Sequence, residues 1–121
     1  MSQALVIDDS RAVRMIVGNI LREQGFEVVE AVHGQEGLQR LHENPEISLV
    51  LVDWNMPEMN GLEFVKTVRA EGQFQNVPLM MVTCETEVEE ITAALAAGAN
   101  EYVMKPFYKE VIADKLQLLG F

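Results

Sequence analysis

Short apolar segments and helical segments alternate five times along the chain, and this alternation limits the possible folds more than any other feature does. The apolar segments are ALVID (4–8), FEVVEA (26–31), SLVLVD (48–53), PLMMVT (78–83) and EYVMK (101–105). A stretch with helical periodicity follows each of them. Such alternation predicts a parallel sheet with helices on both faces and right-handed crossovers. We therefore expect one doubly wound α/β domain with a five-stranded parallel sheet.

The spacing of apolar residues indicates which side of each helix faces the sheet. The first helix should end at Gly25, the second before Pro45 and the fourth at Gly98. The expected inward residues are Val13, Ile16, Val17 and Ile20 in the first helix, Leu38 and Leu41 in the second, Leu62, Val65 and Val68 in the third, and Val88, Ile91 and Leu95 in the fourth.

Polar residues stand at the carboxyl ends of four of the five strand segments. They are Asp8 and Asp9 after the first strand, Asp53 at the end of the third, Thr83 at the end of the fourth, and Lys105 with Pro106 at the end of the fifth. In doubly wound sheets, ligands bind outside the carboxyl ends of the strands, where the strand order reverses. The sequence therefore predicts a single polar site at this edge.

The chemistry of these residues suits a divalent cation and a phosphoryl group. Three carboxylates that lie close together raise one another's pKa values unless a cation intervenes. Oxygen ligands without His or Cys favour Mg²⁺, with Mn²⁺ as the alternative ion. The Lys105 ammonium and the Thr83 hydroxyl match the oxygens of a transferring phosphoryl group. With two acids assigned to the metal, Asp53 is the best candidate for a carboxylate nucleophile.

Composition excludes several classes of function. The 121 residues carry a net charge of −10, whereas proteins that bind the nucleic-acid backbone have basic surfaces. No apolar run approaches the ~20 residues of a membrane span, and the segment MSQALVIDD lacks the features of a signal peptide. The only cysteine, Cys84, cannot form an internal disulfide. We expect a cytoplasmic monomer that binds neither nucleic acid nor membrane.

Four motifs together resemble a known family over the whole chain. VIDDS, VDWNMPEMNG, MVTCE and VMKPF, at these intervals, are similar to a response regulator receiver domain, and more narrowly to the single-domain chemotaxis type. The resemblance implies a sheet with strand order 2-1-3-4-5. It also implies one receiver domain over residues 1–121, with no output domain.

The same resemblance implies roles for the acids and their neighbours. Asp53 would accept a phosphoryl group from the phosphohistidine of a sensor kinase or of a phosphotransfer protein. Asp8, Asp9, Asp53 and the backbone carbonyl of Asn55 would hold Mg²⁺. The side chains of Asn55 and Glu85 would flank the site and tune the rate at which water removes the phosphoryl group.

A conformational switch is implied as well. Thr83 and Lys105 would contact the phosphoryl oxygens, and the Lys105–Pro106 peptide bond would be cis. Tyr102 would turn inward as the Thr83 hydroxyl moves, so that these two residues form the bistable element. The fourth helix, fifth strand and fifth helix would then form the face that binds a downstream protein. The chain would thus be a switch that catalyses only its own phosphorylation and dephosphorylation.

Two other classes of protein share part of the pattern. A hydrolase of the haloacid-dehalogenase type also attacks with an aspartate at a strand end, but it needs a second aspartate where this chain has Asn55. A flavodoxin-like cofactor binder has the same topology, but three acids would repel the flavin phosphate, and no glycine-rich loop follows the first strand. Turnover of organic phosphates would favour the first class, and a yellow protein the second.

Overall fold

The structure, a computed structural model, describes residues 2–56, 58–84, 88–105 and 108–121, without the side chains at positions 83, 84 and 88. In chain order its elements are β1 (Ser2–Ile7), α1 (Arg11–Glu23), β2 (Phe26–Ala31), α2 (Gly34–Glu43), β3 (Ile47–Asp53), α3 (Gly61–Ala70), a short 3-10 helix (Gly72–Phe74), β4 (Leu79–Cys84), α4 (Val88–Ala97), β5 (Glu101–Lys105) and α5 (Lys109–Leu118). Among these described elements, no helix has the length and hydropathy that a membrane span requires.

The five strands form one parallel sheet in the order β2-β1-β3-β4-β5. This confirms the predicted α/β fold class and strand order. The strand order reverses between β1 and β3, which places the predicted site at the end of these two strands. The predicted strands agree with the observed ones within two residues at every end. The 3-10 helix was not predicted, because three residues are too few to carry a periodic signal.

Each face of the sheet has its own hydrophobic core. On one face, Ile7 packs with Leu41 of α2 and Phe64 of α3. On the other, Val6 packs with Leu21 of α1. Because successive side chains of a strand point to opposite faces, both sides of β1 are buried, as the unbroken apolar sequence predicted. Each large buried side chain contributes about 1.5–3 kcal/mol, so the sheet is a firm base for residues at its edges.

Two of the predicted inward residues are wrong. Ile16 is 55% exposed and Leu95 is 40% exposed. In α1 the buried side is centred on Val17 and Leu21, and Ile16 lies outside it because successive helical residues are ~100° apart. In α4 the small side chain of Ala94 is fully buried, and the adjacent Leu95 is displaced to the flank. The predicted inward side chain at position 88 lies outside the described residues.

Arg69 joins α3 to the segments that enter β4 and β5, at the amino-terminal edge of the sheet. Its Nε donates to the carbonyl of Gly98 at 3.0 Å, and its Nη1 to the carbonyl of Phe74 at 2.8 Å. Its Nη2 donates to Oδ1 of Asn100 at 2.8 Å, and the same Oδ1 accepts the backbone N–H of Leu79 at 2.9 Å. All these acceptors are uncharged oxygens, so hydrogen bonds satisfy this half-buried guanidinium.

Two helix caps fix the loops at the opposite, carboxyl-terminal edge. The Ser10 hydroxyl accepts the backbone N–H of Val13 at 3.3 Å, and α1 therefore begins directly after the acidic pair. Asn60 and Glu63 form a capping box at the start of α3, which follows the loop after β3. Each cap contributes about 1 kcal/mol. The loops that carry the predicted site are thus held at their far ends.

Candidate functional site at the carboxyl edge of the sheet

Three carboxylates meet where β1 and β3 end. Asp8 follows Ile7, the residue paired with Val52, and Asp53 follows Val52. Together with Asp9 they place one carboxylate oxygen each within 4.8 Å of one another. Asp8 is 2% exposed and Asp53 is 5% exposed, whereas Asp9 is exposed to solvent. The parallel sheet thus brings the three predicted acids together, two of them buried.

The ammonium of Lys105 lies between the two buried acids. Its Nζ is 3.4 Å from Oδ2 of Asp8 and 3.3 Å from Oδ1 of Asp53. The last residue of β5 therefore reaches across the end of β4 to the acids, as the sequence predicted. Both separations exceed the ~2.7–2.9 Å of a tight charge-assisted bond. One ammonium is shared between two carboxylates and fully neutralises neither of them.

The electrostatics of the site reflect this shortage of positive charge. Burial, and then the negative charge of Asp8, raise the pKa of Asp53 above its ordinary value, although Lys105 and the backbone N–H of Asn55 act in the opposite direction. Burial opposes the charged form of Lys105, but the charges of Asp53 and Asp8 outweigh it and raise the pKa of the ammonium. The Asp53 carboxylate is therefore destabilised as an ion, and a further cation would relieve it.

Hydrogen bonds fix the backbone N–H, the carbonyl and the side chain of Asp8. Its backbone N–H donates to the carbonyl of Ala31 at 3.1 Å. Its Oδ1 accepts the backbone N–H of Ser10 at 2.8 Å, and its carbonyl accepts Nη1 of Arg14 at 2.8 Å. Arg14 was not predicted as part of the site. Its helical position does give a signal, because Arg14 lies near Val17 on the buried side of α1. A charged residue at such a position usually has a specific partner.

The loop after Asp53 turns closely against the sheet. The backbone N–H of Trp54 donates to the carbonyl of Val82 at 3.1 Å, and the Trp54 carbonyl accepts the N–H of Gly61 at 3.0 Å. A Cβ on Gly61 would lie 2.9 Å from the Asp53 carbonyl and 2.5 Å from Cε of Met81, so only glycine fits there. Trp54, the residue that follows Asp53, is buried. The adjacent Asn55 is exposed, as a residue that meets solvent or ligand should be.

Three of the predicted site features involve atoms outside the described part of the chain. The backbone of Thr83 lies near the end of β4, paired with Met104, but its side chain is not described. Glu85 and Pro106 also lie outside the described residues. The Thr83 contact, the effect of Glu85 and the cis Lys105–Pro106 bond therefore stay predictions.

Tyr102, the predicted partner of Thr83, is half-buried on β5. Its ring packs against the core, and Nζ of Lys115 lies 4.7 Å from the ring centroid. Lys115 also forms an ion pair with Glu101, at 2.8 Å between Nζ and Oε1. The half-buried ring is thus contacted by a cation from α5.

The donor set fits a hard divalent cation. The cluster offers three carboxylate oxygens, and the set contains neither imidazole nor thiolate. Such oxygen ligands suit Mg²⁺, which binds through a few carboxylates and keeps several waters. A second sign of fit is that the buried Asp8 and Asp53 share a single ammonium, so a further cation would stabilise their ionised forms. The cluster therefore has the ligand chemistry that a magnesium site requires.

Comparisons with known proteins agree with this geometry. The family model described as "Response regulator receiver domain" matches residues 4–117. Chemotaxis protein CheY1 of Helicobacter pylori is 45% identical over 116 residues, which cover 95% of this chain and 94% of the relative. A chemotaxis protein CheY homolog of Campylobacter jejuni is 46% identical over 114 residues, which cover 93% of this chain and 88% of the relative.

Solved structures agree as well. The structure of chemotaxis protein CheY4 of Vibrio cholerae matches with a TM-score of 0.90 and 36% identity, over 98% of each chain. A CheY-like receiver domain protein from Methanospirillum hungatei matches with a TM-score of 0.88 and 29% identity, over 98% of this chain and 93% of that one. The likeness therefore extends over nearly the whole fold.

Proposed function

This chain belongs to the response regulator receiver family, and from that premise we propose that Asp53 is the residue that carries the phosphoryl group. The observation that supports it best is the convergence of Asp8, Asp9 and Asp53 around the ammonium of Lys105. As a family member, the chain is a phospho-acceptor of a two-component system, of the CheY chemotaxis type. It is a signalling switch rather than a true enzyme.

Asp53 has the environment of a nucleophile, and its neighbour Asp8 has that of a ligand. Both oxygens of Asp8 are engaged, Oδ1 by the N–H of Ser10 and Oδ2 by Lys105. Lys105 contacts Oδ1 of Asp53. The raised pKa of Asp53 reflects an ionised form that is poorly stabilised, and such a carboxylate gains by forming a bond to phosphorus.

The reaction is one displacement at phosphorus. A carboxylate oxygen of Asp53 forms the new O–P bond while the P–N bond of the donor phosphohistidine breaks. The donor imidazole leaves with the electron pair of that bond and takes up a proton. The Lys105 ammonium is placed to stabilise the charge on the phosphoryl oxygens, and we assign the same role to the Thr83 hydroxyl.

The acids would hold Mg²⁺, with Mn²⁺ as the alternative ion. We assign Asp8, Asp9, Asp53 and the backbone carbonyl of Asn55 as its ligands. When bound, the ion supplies positive charge that balances the carboxylates and the phosphoryl oxygens. We further assign the Asn55 and Glu85 side chains to the control of hydrolysis; the exposure of Asn55, two residues after Asp53, supports this role for the amide.

The signal would pass to the face formed by α4, β5 and α5. Phosphorylation replaces a carboxylate by a group of about −2 charge, which Thr83 and Lys105 would contact and which Tyr102 would follow by turning inward. This face carries exposed apolar side chains that suit a protein partner, namely Leu95, Met104, Tyr108 and Val111.

The partners follow from the family. We propose a sensor histidine kinase or a phosphotransfer protein as the donor, and a downstream protein that binds in a phosphorylation-dependent way. The chemotaxis proteins among its relatives support a role in motility. Residues 1–121 would act as one monomeric receiver domain in the cytoplasm.

The test is intact-mass analysis after incubation with a small acyl phosphate and Mg²⁺. The wild-type protein should gain one phosphoryl group, and Asp53→Asn should gain none. Lys66→Met, which removes an exposed lysine of α3, is the matched control and should be phosphorylated normally. The proposal fails if the wild type gains no adduct, or if Asp53→Asn still gains one.

A further inference from the structure

Arg14, on α1, contacts the backbone that carries the acids. Its Nη1 donates to the carbonyl of Asp8 at 2.8 Å, and its Nε donates to Oε1 of Glu30 at 3.0 Å. The Arg14 side chain is 12% exposed, whereas the Glu30 side chain is 43% exposed. An interior arginine therefore ties the loop after β1 to strand β2, through two different nitrogens of one rigid group.

The backbone of Asp8 lies where the hydrogen-bond ladder between β1 and β2 stops. Its N–H still donates to the carbonyl of Ala31, at the end of β2. Its carbonyl accepts from the Arg14 side chain instead of from a strand. A buried carbonyl without a donor destabilises the fold. The guanidinium thus replaces the missing strand neighbour at the point where the acidic loop begins.

That carbonyl belongs to the peptide that joins Asp8 to Asp9. If the peptide rotated, the directions in which both carboxylates leave the backbone would change. The guanidinium is planar and holds its acceptors in a fixed relation, so the peptide keeps one orientation relative to Glu30. We propose that Arg14 is a positioning residue, which fixes the Asp8–Asp9 peptide and thereby the arrangement of both acids toward a divalent cation.

This inference rests on the proposed function of the acids as a cation site. Two simpler roles of Arg14 predict different results. If Arg14 acted only through its charge, its removal would tighten Mg²⁺ binding, because a guanidinium near a cation site repels the cation. If it only stabilised the fold, its removal would leave the Mg²⁺ dissociation constant unchanged. Loss of positioning weakens binding, because the ligands must then be ordered when the ion binds.

The experiment measures the Mg²⁺ dissociation constant through the fluorescence of Trp54, the only tryptophan, together with the free energy of unfolding. Arg14→Met keeps most of the aliphatic bulk and should raise the dissociation constant about 10-fold. Arg14→Lys keeps the charge but cannot span both acceptors, and should give a smaller rise. Glu30→Gln keeps an acceptor for Nε without the charge, and should bind Mg²⁺ like the wild type.

Arg69→Met is the matched control, because Arg69 is also an inward-facing arginine that donates to backbone carbonyls, but at the other edge of the sheet. It should lower the free energy of unfolding and leave Mg²⁺ binding unchanged. An unchanged or tighter Mg²⁺ constant in Arg14→Met would overturn the inference. If that variant does not unfold cooperatively, the same result in Arg14→Lys overturns it. A wild type that binds no Mg²⁺ would instead refute the proposed function itself.

Discussion

The two edges of the sheet treat buried charge in opposite ways. At the amino-terminal edge, the Arg69 guanidinium donates to three uncharged oxygens at 2.8–3.0 Å. At the carboxyl-terminal edge, Asp8 and Asp53 share one ammonium at 3.3–3.4 Å, and the pKa of Asp53 is raised by its burial and by Asp8. The Arg69 guanidinium is satisfied by protein oxygens alone. The two buried carboxylates share one ammonium, and a further cation would stabilise them.

The difference indicates where stability and function reside. A buried polar group that is fully hydrogen-bonded stabilises the fold and has nothing left to offer a ligand. A buried carboxylate that is partly neutralised costs folding free energy and is ready to bind a cation or attack phosphorus. Substitutions at the two edges should therefore change different measured quantities.

The largest expected effect is on phosphorylation, in Lys105→Met. The ammonium stabilises charge on the phosphoryl oxygens, so the rate with a small acyl phosphate should fall about 100-fold to 1,000-fold. Rapid-mixing fluorescence of Trp54 measures that rate. The exposed Lys66→Met is the control and should keep the wild-type rate. A rate within twofold of wild type in Lys105→Met would refute the role of the ammonium.

Arg69→Met should lower the stability of the protein and leave its phosphorylation rate unchanged. It removes three hydrogen bonds from the amino-terminal edge and should lower the free energy of unfolding by about 2–3 kcal/mol. Urea unfolding measures this change, and phosphorylation of the folded variant should proceed at the wild-type rate. Arg40→Met is the control, since Arg40 pairs with Glu43 at the surface. Its loss should lower the free energy of unfolding by less than ~1 kcal/mol. Equal losses in the two variants would contradict the comparison.

Asp53→Asn should stabilise the protein when no divalent cation is present. The pKa of Asp53 is raised above 3.8 in the folded chain, so its proton stabilises the fold at low pH, and this contribution is lost as the pH rises through the raised pKa. At neutral pH the ionised group therefore opposes folding. The variant should be more stable by about 1 kcal/mol in urea with a chelator present. A less stable variant would show that the Lys105 ammonium already balances the charge of the Asp53 carboxylate.

The smallest expected effect is a pH dependence away from the site. Nε2 of His42 donates to Oε1 of Glu71 at 2.8 Å, and this hydrogen bond, followed by the charge of Glu71, raises the pKa of His42 above 6.5 despite some desolvation. The protonated ring stabilises the fold, fully below pH 6.5, and the contribution is lost as the pH rises through the raised pKa. His42→Asn should remove the loss of stability that begins as the pH rises above 6.5, measured by urea unfolding at a series of pH values. An unchanged slope would assign it to another group.

Much of the fold could be predicted from the sequence because its signals are local. Strand ends are marked by the change from apolar to polar residues, and a parallel sheet necessarily gathers those ends at one edge. Asp8, Asp53 and Lys105 were found in this way, although 97 positions separate the first from the last.

The rest depends on contacts that a periodic pattern does not contain. Ile16 is exposed because the buried side of α1 is centred on Val17 and Leu21, and Leu95 is exposed because Ala94 takes the buried place in α4. Arg14 and Arg69 were missed for a related reason. The position of Arg14 near Val17 on α1 indicates that it is partly buried, but the carbonyls that Arg14 and Arg69 contact are apparent only from the tertiary structure.

The most direct measurement is the free energy of unfolding of the wild type and of Asp8→Asn as the Mg²⁺ concentration is raised. The wild type should gain stability with the logarithm of the Mg²⁺ concentration above the dissociation constant, because the ion binds only the folded cluster. Asp8→Asn should gain far less at the same concentrations. Equal gains in both proteins, or no gain in the wild type, would contradict the conclusion that these acids are held ready for a divalent cation.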